Sequence, residues 1–118
     1  MDKYMQVLQE LIKNTGCLEG ASLVSAGGLP ISSVLKPGLE EDRIAAMSAA
    51  ILSLGERVSE ELAKGGLEQI TIKGESGYVI LTGVGHDAVM VVLADNDAKL
   101  GLLLMEIKKA QERLKALI

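Results

Sequence analysis

His86 and Asp87 are adjacent, and a histidine beside a carboxylate is the smallest pair that can move a proton. His86 is the single histidine of the chain and lies in a turn flanked by glycine, Gly85-His86-Asp87. No nucleophile with its own orienting partner accompanies it, so a solvated turn histidine is the expected role. Cys17 is the single cysteine and has no CxxC companion, which leaves a small buried side chain as the expectation. One histidine and one cysteine do not make a zinc site without several carboxylates. The acidic run Glu40-Glu41-Asp42 sits where a helix begins and reads as dipole electrostatics rather than a metal cluster. Gly83-Val84-Gly85 lacks a third glycine and a following helix, so it is not a dinucleotide loop, and no GxxxxGK[ST] motif is present. Three arginines, Arg43, Arg57 and Arg113, are available to reach a phosphate. Arg43 falls at a helix start and Arg57 inside a helix, and neither placement suits a mobile finger. The residue inventory therefore points away from an enzyme and implies no cofactor or metal.

Composition narrows the classes further. The chain has 118 residues, which is one domain spanning 1–118, and 48% hydrophobic residues are enough for a packed core. A net charge of −4 argues against nucleic acid as a partner. Two tyrosines and no tryptophan or phenylalanine leave no stacking platform for bases. A single cysteine suits a reducing compartment. The N-terminus is polar where a signal peptide turns apolar, and the longest wholly apolar run, 88–94, is far too short for a membrane span, so a cytoplasmic protein without membrane insertion is expected.

The elements that must position any site follow from periodicity. Tyr4, Val7, Leu8, Leu11 and Ile12 make a helical stripe over 3–14, with Asp2 able to cap it and Gly16 to end it. Segments 21–26 and 30–35 flank Gly27-Gly28 as a hairpin, with Pro30 restricted to a strand start or an edge. Residues 40–64 form the longest helix, stopped by Gly65-Gly66. Strands at 68–73, 78–82 and 88–94 form a meander. The last is apolar at every position, which requires cover on both faces. Asp95, Asn96 and Asp97 offer a cap to a final helix carrying Leu100, Leu103, Leu104, Ile107, Ala110, Leu114 and Leu117. The expected fold is an α/β (α+β) sandwich in the order αββαβββα, with a five-stranded, mostly antiparallel sheet between helices.

The long helix carries the functional reading. Ile44, Met47, Ile51, Leu54, Val58 and Leu62 share one stripe, assigned here to the sheet. Ala45, Ala49 and Leu52 form one flank, and Ala46, Ala50 and Ser53 the other. No charge falls between Ile44 and Leu54. An ordinary alanine-rich helix accounts for this, because alanine is the best helix former. A second buried face against another protein is the reading preferred here, because small side chains let helix axes approach closely. Strand 68–73 is expected at a sheet edge, and Gln69-Ile70-Thr71-Ile72 carries no proline or charge to protect it from pairing with another strand. A two-fold homodimer with this strand against itself and the long helices side by side satisfies both features. The expected dimer residues are Ala45, Ala49, Leu52, Gln69, Ile70, Thr71 and Ile72. A second partner would take the other flank, Ala46, Ala50, Ser53 and Arg57, and which flank faces which partner stays open. The helix 40–64 carries six acids and three bases, net −3, whereas 98–118 carries five bases and two acids, net +3. Two solvated faces explain that asymmetry, and so does a final helix that meets an acidic partner.

An ordered set of segments then resembles the roadblock / dynein light chain family, and within it the MglB-like prokaryotic regulators of small Ras-like GTPases. The resemblance begins at Gly16-Cys17-Leu18-Glu19-Gly20-Ala21 and runs through Leu23 to Ile31 with its Gly-Gly-Leu-Pro-Ile. It continues in the alanine-rich helix from Arg43 to Leu62, in Gly77-Tyr78-Val79-Ile80-Leu81, in Ala88 to Ala94 and in Ala98 to Leu104. It implies the same element order, a roadblock (profilin-like) sandwich, and pairing through the long helix and third strand into a continuous two-subunit sheet. It further implies a small Ras-like GTPase as the partner, acted on by reshaping its switch regions rather than by a donated arginine. Two other functions fit the sequence: a purely structural adaptor with no effect on GTP turnover, and a small-ligand sensor, against which stands the scarcity of polar groups in the expected core.

Overall fold

The computed structural model describes residues 2–118. The order of elements is α1 (Lys3–Thr15), β1 (Leu18–Ser25), β2 (Pro30–Leu35), α2 (Glu41–Glu61), β3 (Gln69–Gly74), β4 (Gly77–Val84), β5 (Ala88–Asp95) and α3 (Leu100–Leu117). The αββαβββα order read from periodicity is the observed one, with ends displaced by a few residues.

The five strands lie in the order β2-β1-β5-β4-β3, and every neighbouring pair is antiparallel. β5 is the centre. Its alternate side chains split between two cores, as its unbroken apolar run requires. Ala88, Met90, Val92 and Ala94 join Val7, Leu8 and Leu11 of α1 and Leu103, Ile107, Ala110 and Leu114 of α3. Val89 and Val91 join Val24, Leu81, Ile44 and Ala45 beneath α2. Helices α1 and α3 therefore cover one face and α2 the other.

Local chemistry sets the ends. The Asp2 carboxylate accepts from the Tyr4 and Met5 amides at 2.9 and 3.3 Å and caps α1, as its position before the apolar stripe implied. These bonds and the adjacent Ser32 hydroxyl hold the Asp2 carboxyl below its usual value. Ser32 is the largest influence, although its buried oxygen makes no well-formed hydrogen bond. Helix α2 starts with Glu41 and Asp42 in its first turn, next to the positive end of the dipole. It stops at Glu61, before the glycines. Ala63 turns left-handed at φ 61°, and the Lys64 amide reaches back to the Ser59 carbonyl. At the other end of the chain, Asp95 accepts from the Asp97 amide in a turn upstream of α3. Lys99 stands at the N-cap without a side-chain bond, so the expected acidic cap is a turn former instead.

Two sequence expectations are corrected here. Cys17 is exposed rather than buried, in a left-handed conformation (φ 54°) between α1 and β1. The sheet-facing side of α2 is also different. Ile44 and Ile51 do reach the core, but Met47, Leu54, Val58 and Leu62 point outward with 55, 61, 48 and 67% of their surface exposed. Ala45 and Ser48 are buried instead, and Gly55 sits close over β3. The helix is rotated by about 90° from the expected setting, less than one residue's turn of 100°.

Candidate interaction surface

The rotation of α2 decides which residues are available to a partner. Ala45 is 0% exposed and packs on Val24, Leu81, Val89 and Val91, so it belongs to the core and not to a subunit contact. Leu52 is half-buried against the same core. Ala49 is half-buried beneath the β1–β2 turn, where a Cβ built on Gly28 would lie 3.3 Å from the Ala49 Cβ. The flank expected to face a second subunit is thus turned toward the sheet and its hairpin. Small side chains there bring the helix close to its own sheet, which is the physical reason for the difference.

The other flank is free. Ala46, Ala50, Ser53 and Arg57, at spacings of four, three and four, are all exposed on one stripe. Arg57 Nε donates to Glu61 Oε1 at 3.1 Å, an exposed pair within the helix. Beside this stripe runs the one formed by Met47, Leu54 and Val58, with Leu62 at the helix end. Large side chains in water at Met47 and, past half-buried Ile51, at the successive positions Leu54, Val58 and Leu62 form a row of the kind that marks a protein contact rather than scattered surface apolarity. The sequence carried this signal in the i, i+3, i+4 spacing, but its direction was assigned to the core.

Strand β3 is an edge, as expected. Its residues divide between the two faces. Ile70 and Ile72, opposite Leu81 and Val79, lie on the α2 side, and Ile72 stays partly exposed. Gln69 and Thr71 lie on the α3 side, where the Gln69 amide nitrogen is 2.7 Å from Thr71 Oγ1. The opposite edge, β2, begins with Pro30, which has no amide to offer a further strand. β3 has no such guard along Gln69–Lys73.

Elsewhere, His86 is exposed in the β4–β5 turn. Among the described residues no group of three or more His, Cys, Asp and Glu is arranged to hold a metal ion. Arg43 is exposed at the start of α2, and Arg113 of α3 is tied to Glu10 of α1. No helix among the described residues is long and apolar enough to cross a membrane.

An αββαβββα sandwich with a bare third strand and an apolar-backed second helix is the arrangement that the family resemblance implied. The model of the Roadblock/LC7 domain matches residues 4–94. The chain belongs to this family. It is 36% identical over 112 residues to uncharacterized protein MJ1340 of Methanocaldococcus jannaschii, a match covering 95% of this chain and 96% of that one. Among solved structures, Myxococcus xanthus MglB superposes with a TM-score of 0.91 at 25% identity, over 99% of this chain and 95% of MglB. A Roadblock/LC7 domain from Streptomyces avermitilis superposes with a TM-score of 0.89 at 20% identity, over 95 and 94% of the two chains. The roadblock, profilin-like α+β fold is thereby established for this chain. In this Roadblock/LC7 domain, α2 and β3 together form the candidate interaction surface.

Proposed function

We propose that this Roadblock/LC7 domain is a homodimeric, cytoplasmic regulator or scaffold that binds a small Ras-like GTPase and alters its nucleotide cycle by favouring one arrangement of the switch regions. It supplies no catalytic residue of its own. The observation that carries this reading is the row Met47, Leu54 and Val58 in water on α2, on the same side of the sheet as Ile70 and Ile72 of the bare edge strand β3. A second copy related by a two-fold axis would pair β3 with β3 through Gln69–Ile72 and cover the apolar row of each α2 with the other. The stripe Ala46, Ala50, Ser53 and Arg57 then remains as the surface for the GTPase. The likeness to MglB supports this reading, because the MglB-like members resembled by the sequence are regulators of small GTPases.

The mechanism is one of differential binding. A dimer that contacts the switches shifts their equilibrium only to the extent that it binds one arrangement more tightly. Arg57 is held along the helix by Glu61 and is poorly placed to act as an arginine finger. The test is titration calorimetry and single-turnover hydrolysis with Ras-like GTPases of the same cell, loaded with GDP or with a non-hydrolysable GTP analogue. Tighter binding to one nucleotide state together with a changed turnover is expected. Binding with unchanged turnover makes the protein an adaptor, and no binding to any such GTPase refutes the proposal.

A further inference from the structure

The face of the sheet opposite α2 carries a second feature. Helix α3 covers β4 but stops short of β3, and a trough of about 710 Å³ opens between them. One wall is a single stripe of α3, with Leu104, Lys108, Gln111 and Lys115 following one another at spacings of four, three and four. The floor is β3–β4, from Gln69 to Thr82 and Gly83, and His86 stands at one end. The trough spans roughly 21 Å along α3 from Gly101 to Lys115 at 1.5 Å per residue. Gly101 has no heavy atom within 4 Å of where a Cβ would stand, so that end is open.

Two independent observations describe its occupant. The first is charge. The cations of α3 that lie away from the trough are already paired, Lys109 with Glu106 at 3.3 Å and Arg113 with Glu10. The two that line the trough, Lys108 and Lys115, have no carboxylate within ion-pair distance among the described residues, and Glu68 is the single acid in the lining. The second is apolar surface. Leu104 and the exposed Met105 lie in the same wall, and Leu67 faces them. Methionine adapts its shape to a variable partner.

We propose that the trough between α3 and β3–β4 binds an acidic, amphipathic helical segment of another protein. Its apolar side chains lie on Leu104, Met105 and Leu67, and its carboxylates meet Lys108 and Lys115. The length and openness of the trough suit a helix of about 14 residues rather than an enclosed small molecule. The internal bonds agree with a preformed floor: Gln111 Nε2 donates to the Gly83 carbonyl at 2.6 Å and Thr82 Oγ1 to the Glu68 carbonyl at 3.2 Å, so these groups need no ligand to satisfy them. The site lies on the other face of the sheet from α2 and does not depend on the GTPase reading.

The test uses the full chain and three fluorescein-labelled synthetic helices of about 14 residues, matched to the length of the α3 wall. Each carries leucines at helical spacing, flanked by glutamate, glutamine or lysine. Anisotropy reads affinity, and amide shifts locate the contact. The glutamate peptide is expected to bind with shifts at Leu104, Met105, Lys108 and Lys115, and the glutamine peptide about tenfold more weakly. Lys108→Glu with Lys115→Glu, checked for unchanged Tm and sedimentation, is expected to weaken the glutamate peptide by a similar factor and to strengthen the lysine peptide. Equal affinities for all three peptides, shifts confined to α2, or no binding of the glutamate peptide would each overturn the proposal. So would complete displacement by inorganic triphosphate with shifts at the same lysines, which would make the trough a small-anion site.

Discussion

Gly55 of α2 lies directly over Ile70 of β3: a Cβ placed on the glycine would be 2.8 Å from Ile70 Cδ1 and 3.2 Å from Leu67 Cδ2. This close approach fixes the rotation of the helix. With Gly55 against the sheet, Leu54 and Val58 have no room beneath the helix and must point outward.

The contact at Gly55 makes a graded prediction. Gly55→Ala removes a flexible glycine from a helix, worth up to about 1 kcal/mol in its favour, while the Ile70 methyl can rotate away. A change in stability close to zero is expected. Gly55→Leu cannot be accommodated by one methyl, and should cost about 1–3 kcal/mol through displacement of α2. Urea denaturation of the two variants measures the difference. Equal stability for both would show that α2 does not sit tightly on β3.

Gly77 makes a sharper one. It has a φ of 146° at the start of β4, and a Cβ there would fall 2.1 Å from the Ala94 carbonyl oxygen of β5. Backbone cannot rotate away as a side chain can. Gly77→Ala should destabilise the domain by about 3 kcal/mol, with loss of amide protection between Gly77 and Asp95. Hydrogen exchange checks both the magnitude and the place.

The corrected direction of α2 separates folding from assembly. Leu54→Glu with Val58→Glu changes exposed positions. Under the homodimer proposal these variants sediment as folded monomers, with far-UV spectrum intact. Ala45→Leu forces bulk into the core beneath α2 and should lower Tm, at a cost of about 1–3 kcal/mol. A monomeric Ala45→Leu of unchanged Tm would contradict the burial of Ala45.

Arg57 should matter little to stability. Its pair with Glu61 is exposed and within one helix, so Arg57→Ala is expected to cost less than about 0.5 kcal/mol. If a GTPase is bound, its turnover should survive Arg57→Ala apart from a change in affinity. Abolished turnover at saturating protein would restore the finger role.

Asp2 gives the pH dependence. Its carboxyl is held below the ordinary value first by Ser32, against an opposing desolvation, with smaller help from the Met5 and Tyr4 amides. A carboxyl depressed in the folded state contributes stability above its unfolded value and loses it as the pH falls through the folded one. Fraying of α1 should therefore begin in the acidic range, below the ordinary carboxylate value, and be absent at neutral pH. Amide shifts of Tyr4 and Met5 followed through an acid titration, and their insensitivity in Asp2→Asn, check this.

The residues on their own determined the order of elements and the centre and one edge of the sheet. The reason is that each signal is local. An unbroken apolar strand such as Ala88–Ala94 admits no exposed face, and three hairpin-linked strands place Gln69–Lys73 at the far side of the meander. The rotation of α2 was decided only in three dimensions. Its sequence offers two stripes of comparable apolar character, one with large side chains at Met47, Leu54 and Val58, the other with small ones at Ala45, Ser48 and Gly55. Periodicity weights the large stripe toward the core. The fold chooses the small one, because small side chains let the helix descend onto β1, β2 and their turn, with Gly55 over the Ile70 side chain, and leaves the large one in water for a partner. The basic charge of the final helix was legible in the sequence, but the trough beside it was not, because only packing reveals which of its lysines are paired and which stand free.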